Sequence, residues 1–73
     1  MQFVKEESNS RVRELIDLLP EEQREVVILR HYAELSFKEI AGITGVSINT
    51  ALGRMRYALT NLRKTVAENN MVL

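Results

Sequence analysis

Apolar residues along this chain recur at helical spacing and nowhere alternate as in a strand. Val12, Leu15, Ile16 and Leu19 form one face of a first helix, with Ser8 or Ser10 placed to cap it. Pro20 breaks the chain and is expected at the first position of a second helix, where a missing N–H costs nothing. Glu21 and Glu22 follow in its first turn, complementing the helix dipole. Val26, Val27, Leu29, Tyr32 and Ala33 are its expected buried side, and it is expected to end near Glu34–Leu35. Ser36 to Glu39 reads S-x-x-E, a capping box, ahead of a short third helix with Ile40, Ala41 and Ile43 on its apolar side. Gly45 is the next break and Ser47 the next cap. A fourth helix then runs to Val66 or Ala67, with Ala51, Met55, Ala58, Leu59, Leu62 and Val66 in one core stripe. The expected fold is all-α: a four-helix domain over residues 10–67 with a helix-turn-helix and no wing. Residues 1–9 read as a linker or tail and 68–73 as a C-terminal tail.

Composition narrows the function. A chain of 73 residues buries only roughly 60% of its unfolded surface, so the core is thin. No cysteine is available for a disulfide, and one histidine leaves no zinc set; no cofactor or metal is expected. No catalytic residue is assigned: His31 has no serine, cysteine or second histidine spaced to work with it and is expected at the surface or between helices. No apolar run reaches the roughly 20 residues that span a bilayer, and nothing resembles a signal peptide. The expected setting is cytoplasmic, without a membrane partner, and a walled enzyme pocket has almost no room. Net charge is zero but unevenly spread. Residues 1–46 carry six Lys/Arg against nine Asp/Glu, a balance of −3; residues 47–73 carry four against one, a balance of +3.

Residues 37–56 have helix-turn-helix spacing. Small Ala41 suits a close crossing, Gly45 the tight turn and Val46 a plug at the junction, while Ile40 and Ala51 face each other. The fourth helix then projects, its N-terminal part placed to enter a major groove. Its outward face carries Asn49, Thr50, Gly53, Arg56, Tyr57, Thr60 and Lys64, with no acid. These amide, hydroxyl, aromatic and basic groups suit base edges and phosphates. Gly53 costs a helix roughly 1 kcal/mol relative to alanine; it either lets DNA approach the backbone or is a tolerated small residue. Arg54, at the edge of the core stripe, bridges to a phosphate or to an acid on the second helix. Tyr57 packs on a sugar or lies as a half-buried surface aromatic. Arg63 and Lys64 suit the C-terminal dipole better than DNA. The N–H groups near Ser36, Phe37 and Lys38 offer a second phosphate site, strengthened by the Lys38 charge.

The run "LPEEQREVVILRHYAELSFKEIAGITGVSINTALGRMRYALTNLRK" resembles region 4 of the sigma-70 family, nearest to the extracytoplasmic-function (ECF) type, over about two-thirds of the chain. The marks are Leu19, Pro20 and Arg24; Leu29–Arg30; S-x-x-E-I-A from Ser36 to Ala41; and G-V-S-x-x-T from Gly45 to Thr50. The resemblance implies binding of the −35 promoter element in the major groove, docking on the β flap of RNA polymerase, and sequestration by an anti-sigma factor in many members. By that resemblance Asn49, Leu52, Gly53, Arg56 and Tyr57 are base-reading positions, with Ser36, Phe37, Lys38 and Arg54 near phosphates and Ser47 and Thr50 at the start of the reading helix. Many members place a basic residue at the position of Leu52, serine at that of Gly53 and arginine at that of Tyr57. The lighter charge here implies weaker binding in isolation or a different −35 sequence, with avidity from a holoenzyme making up the rest. The −10-reading domain of a sigma factor is outside these residues, and the polar start is expected to be an interdomain linker of a longer protein.

Two other readings stay open on sequence alone. A dimeric response-regulator output domain uses a similar helix-turn-helix and would need a self-complementary patch, which Met71, Val72 and Leu73 could supply. A stand-alone protein-interaction module would fit the light charge on the reading face. A monomer favours the sigma reading.

Overall fold

A computed structural model describes residues 11–68. Helix α1 covers 11–17 of these, α2 spans Glu21–His31, α3 spans Phe37–Thr44 and α4 spans Ile48–Glu68; no strand occurs among the described residues. The capping candidates Ser8 and Ser10, the expected linker at 1–9 and the patch at Met71, Val72 and Leu73 lie outside the described residues.

Two buried clusters share α4. Ile16, Leu19, Val27 and Ala58 join α1, α2 and α4, with Val12, Ile28, Met55 and Leu62 packed around them. Val26, Ile40, Ala41 and Ala51 join α2, α3 and α4, flanked by Leu29, Leu35, Phe37 and Val46. Met55 packs against both clusters, so the flexible thioether closes the seam between them. The side chains at the second crossing include two alanines, which lets α3 lie close on α4. Gly45 ends α3 at φ 70°, a left-handed geometry that costs glycine little. The Val46 N–H donates to the Ala41 carbonyl at 3.1 Å, closing the turn and seating Val46 against the cluster.

Three expectations need correction. Pro20 is not the first helical residue but the N-cap: its carbonyl accepts the Arg24 N–H at 2.9 Å while its ψ of 149° stays extended. Helix α2 stops at His31 rather than near Glu34–Leu35, because Glu34 adopts a left-handed φ of 56° that no helix continues through. Tyr32 and Ala33 are therefore exposed rather than core. Ile43 and Leu59 are also exposed; the eight residues of α3 turn Ile40 and Ala41 inward and Ile43 away, and α4 turns Ala51 and Ala58 inward and Leu59 to its flank.

Polar bridges fix how the helices sit. The Asn61 amide donates to Gln23 Oε1 at 2.7 Å, joining α4 to α2. The Arg13 guanidinium stacks on the Tyr32 ring at 5.0 Å, tying α1 to the end of α2. His31 is exposed, edge-on to Tyr32 at 4.8 Å, as a surface residue would be. Replacing Ala41 with leucine is expected to overfill the crossing at a cost of roughly 1–3 kcal/mol. A denaturation midpoint unmoved by that change would reject the packing.

Candidate nucleic-acid interface

The outward side of α4 is open. Asn49, Thr50, Arg56, Tyr57, Thr60 and Lys64 are all exposed, Tyr57 at 65%. No acidic residue lies on α4 before Glu68. Asn49 keeps its amide clear of any bond among the described residues, whereas the Thr60 hydroxyl is spent on the Arg56 carbonyl at 3.0 Å. Leu52 is 39% exposed and sits to one side of this face. The face therefore offers one amide, one guanidinium, one phenol, apolar methyls and, toward its C-terminal end, the Lys64 ammonium, a set suited more to reading edges than to coating phosphates.

Gly53 lies in the middle of that face with helical backbone, and nothing comes within 4 Å of where a Cβ would stand. The domain's own packing thus does not require glycine there. A residue that weakens the helix by roughly 1 kcal/mol without serving the fold leaves room for something outside it.

Ser47 and Thr50 set the start of α4. The Thr50 N–H donates to Ser47 Oγ at 3.1 Å, the Ser47 hydroxyl donates to Thr50 Oγ1 at 3.0 Å, and the Ala51 N–H donates to the Ser47 carbonyl at 3.0 Å. Both hydroxyls are thus engaged in capping while remaining exposed at the N-terminal end of the outward face of α4.

The start of α3 is a complete capping box. The Glu39 N–H donates to Ser36 Oγ at 3.1 Å and the Ser36 N–H donates to Glu39 Oε1 at 3.0 Å. This corrects one expectation: the Ser36 N–H is not an unspent donor. The first-turn donors that remain are the N–H groups of Phe37 and Lys38, together with the exposed Lys38 ammonium. Phe37 has its ring half-buried against the second cluster, so only its backbone is offered outward. Behind this turn, Arg30 donates to the Leu35 carbonyl at 2.9 Å and lays its guanidinium over the Phe37 ring at 5.1 Å. The sequence reading missed this latch; a basic residue seven positions before an aromatic, across a helix end, was its only signal.

Arg54 resolves its two readings toward the second helix. Its guanidinium stands 3.7 Å from the Glu22 carboxylate and its side chain is 22% exposed, turned to the α2 flank of α4 rather than to the outward face. Among the described residues no group of three or more histidines, cysteines or acids could hold a metal, and no helix is long and apolar enough to cross a membrane.

Residues 9–62 match the family model for sigma-70, region 4. The chain is 34% identical over 59 residues to the ECF RNA polymerase sigma factor RpoE of Cereibacter sphaeroides, covering 81% of this chain and 33% of that protein. It is 33% identical over 60 residues to the RNA polymerase sigma factor SigV of Bacillus subtilis, covering 82% and 36%. It is 31% identical over 58 residues to an RNA polymerase sigma-E factor of Streptomyces avermitilis, covering 80% and 32%. The chain thus spans about a third of the length of these curated relatives.

The cap makes a testable electrostatic claim. The Ser36 backbone N–H, and then its hydroxyl, hold the Glu39 carboxyl below the ordinary glutamate range. A lowered folded pKa means that the stabilisation is full above that ordinary range and is lost as pH falls through the folded value. A carboxyl NMR titration should find Glu39 below a reference glutamate, and Ser36→Ala, which keeps the backbone donor and removes the hydroxyl, should raise it only part of the way back, at a cost to the cap of about 1 kcal/mol. A normal Glu39 titration would show that the box is not formed.

Proposed function

Because the chain belongs to the sigma-70 region 4 family, we propose that it is the promoter-recognition domain of a bacterial ECF-type sigma factor. It binds duplex DNA at the −35 element and docks on the β flap of RNA polymerase, so directing transcription initiation in the cytoplasm. The role is binding, not catalysis, and the domain acts as a monomer. The observation that carries this reading is the bare Gly53 in the centre of an exposed, acid-free helix face. A glycine unneeded by the fold suits a helix whose backbone lies against a groove floor.

In this reading Asn49, Leu52, Gly53, Arg56 and Tyr57 face the bases. Asn49 can pair with adenine and Arg56 with guanine, the pairings their donor geometry favours; Leu52 and Tyr57 supply apolar contact to thymine methyls or sugars. The Phe37 and Lys38 N–H groups and the Lys38 ammonium hold a backbone phosphate, with Ser36 beside it in the cap, aided by the positive end of α3. The Glu39 carboxylate beside them opposes that phosphate, and Lys38 offsets it. Ser47 and Thr50 orient the first turn of α4 and lie near the DNA backbone. Arg54 acts through Glu22, holding the rotation of α4 on α2, and approaches a phosphate only at its exposed edge. With few cations on the face, the isolated domain binds weakly, and its affinity is steep in salt only to the extent of those few contacts.

Two substitutions separate this reading from a structural one. Gly53→Ala should raise the stability of the unbound chain by about 0.4–1 kcal/mol and weaken its binding to a promoter duplex. Arg56→Ala should weaken binding at low salt and leave the melting curve unchanged. Fluorescence anisotropy with a −35-containing duplex measures both. Unaltered affinity in the two variants would remove α4 as the reader.

A further inference from the structure

Among the side chains packed around the two buried clusters, only Met55 belongs to both. It is also the one methionine among the described residues; Met1 and Met71 lie outside them. The clusters it joins are built of isoleucine, leucine, valine and alanine. Leucine has nearly the volume of methionine and would fill such a seam as well. The packing therefore does not call for sulfur, and what sulfur adds is its chemistry.

The seam is open at its edges. Met55 is half-buried and lines two clefts that face solvent. Arg30, His31 and Glu34, at the end of α2, border the first. Phe37, Leu52, Arg56 and Leu59 border the second, along α4. A small polar oxidant can thus approach the thioether from either side, while the groups the thioether holds together remain covered. Hydrogen peroxide is such an oxidant. The sulfur lone pair attacks one peroxide oxygen, the S–O bond forms as the O–O bond breaks, and the proton on the transferred oxygen leaves with the other as water. Sulfur gives up two electrons and becomes a polar, chiral sulfoxide.

The new oxygen has no good place in the reduced fold. Neither cluster's side chains offer a hydrogen-bond donor, and a strong acceptor left without one is costly to bury. The guanidiniums that share the clefts with Met55 are those of Arg30 and Arg56. Arg30 already holds the Leu35 carbonyl and covers the Phe37 ring. Arg56 belongs to the outward face of α4. A sulfoxide either stays unpaired in the seam or draws one of these arginines from its post, and both outcomes disturb the seating of α4 on α2 and α3.

We propose that Met55 is a reversible oxidation site: peroxide converts it to the sulfoxide, which loosens the seam and lowers affinity for DNA. Two thiols reverse the step, taking the oxygen away as water and leaving as a disulfide, with a methionine sulfoxide reductase as catalyst. The modification and its effect on the fold stand on the packing alone; the effect on DNA rests on the promoter-binding reading above.

The test treats the 73-residue chain with dilute hydrogen peroxide and follows each methionine by peptide mapping, as the gain of one oxygen. Oxidation at Met55 should lower the circular-dichroism melting midpoint by at least about 5 °C and weaken binding to a −35 duplex severalfold. Methionine sulfoxide reductase with dithiothreitol should restore both. Met55→Leu keeps Met1 and Met71 in place, so its midpoint and affinity should match the untreated chain and hold through the same treatment. Met55→Gln, which sets a polar amide in the seam, should reproduce the lowered midpoint without peroxide. Three results would overturn the proposal: Met55 unoxidised where Met1 and Met71 are oxidised, a Met55 sulfoxide with an unmoved midpoint, or equal peroxide sensitivity in Met55→Leu. The melt is read without DNA, so a chain that melts early on oxidation but never binds duplex rejects the promoter reading and keeps the oxidation site.

Discussion

The crossing of α3 on α4 depends on how little side chain stands between them. Ala41 and Ala51 are buried in one cluster with Ile40 and Val26, and neither alanine can hold the helices apart. Tight packing of this kind tolerates little change in volume, because interiors are close-packed and relax only partly. Gly45 supplies the left-handed residue that lets α3 stop at the crossing, and Val46 fills the corner behind it. Everything proposed for the reading face follows from this corner. It sets where α4 emerges and how the first turn of α3 stands relative to it.

A second set of contacts fixes rotation rather than position. Asn61 and Arg54 tie one flank of α4 to Gln23 and Glu22 on α2. The exposed ion pair contributes little to stability, but together with the part-buried amide pair it selects which residues look outward. Arg30 does the same for α3, gripping the Leu35 carbonyl and covering the Phe37 ring. These polar contacts are orienting devices: they hold Phe37 and Lys38 N–H groups on the same side as Asn49 and Gly53 in the functional reading.

Much of this was legible in the residues. The capping box at Ser36 and Glu39, the glycine stop at Gly45 and the Ser47 cap are local chemistry, and local chemistry is written in short spacings. The exposed Asn49, Arg56 and Tyr57, with half-buried Gly53 among them, followed from counting around one helix. What was not legible involves neighbours. Periodicity carried α2 through Tyr32 and Ala33, but Glu34 takes a left-handed turn that no non-glycine residue announces. It placed Leu59 in the core, yet a 21-residue helix packed on one side by shorter helices keeps only part of a wide apolar arc covered. Arg54 could be placed at the edge of the stripe, while its partner Glu22 depended on the α2–α4 geometry. The family resemblance narrowed the function further than composition or charge could, since a net charge of zero hides the acid-free face.

The central claim is that the outward face of α4, together with the first turn of α3, receives duplex DNA. The most direct measurement is a titration of the 15N-labelled chain with a short −35-containing duplex, followed by backbone amide NMR. The account predicts that the largest shifts fall at Asn49, Gly53, Arg56 and Tyr57 and at the amides of Phe37 and Lys38, with α1 nearly silent. Shifts concentrated on α1 and the Gln23–Arg30 side of α2, with α4 unperturbed, would contradict it.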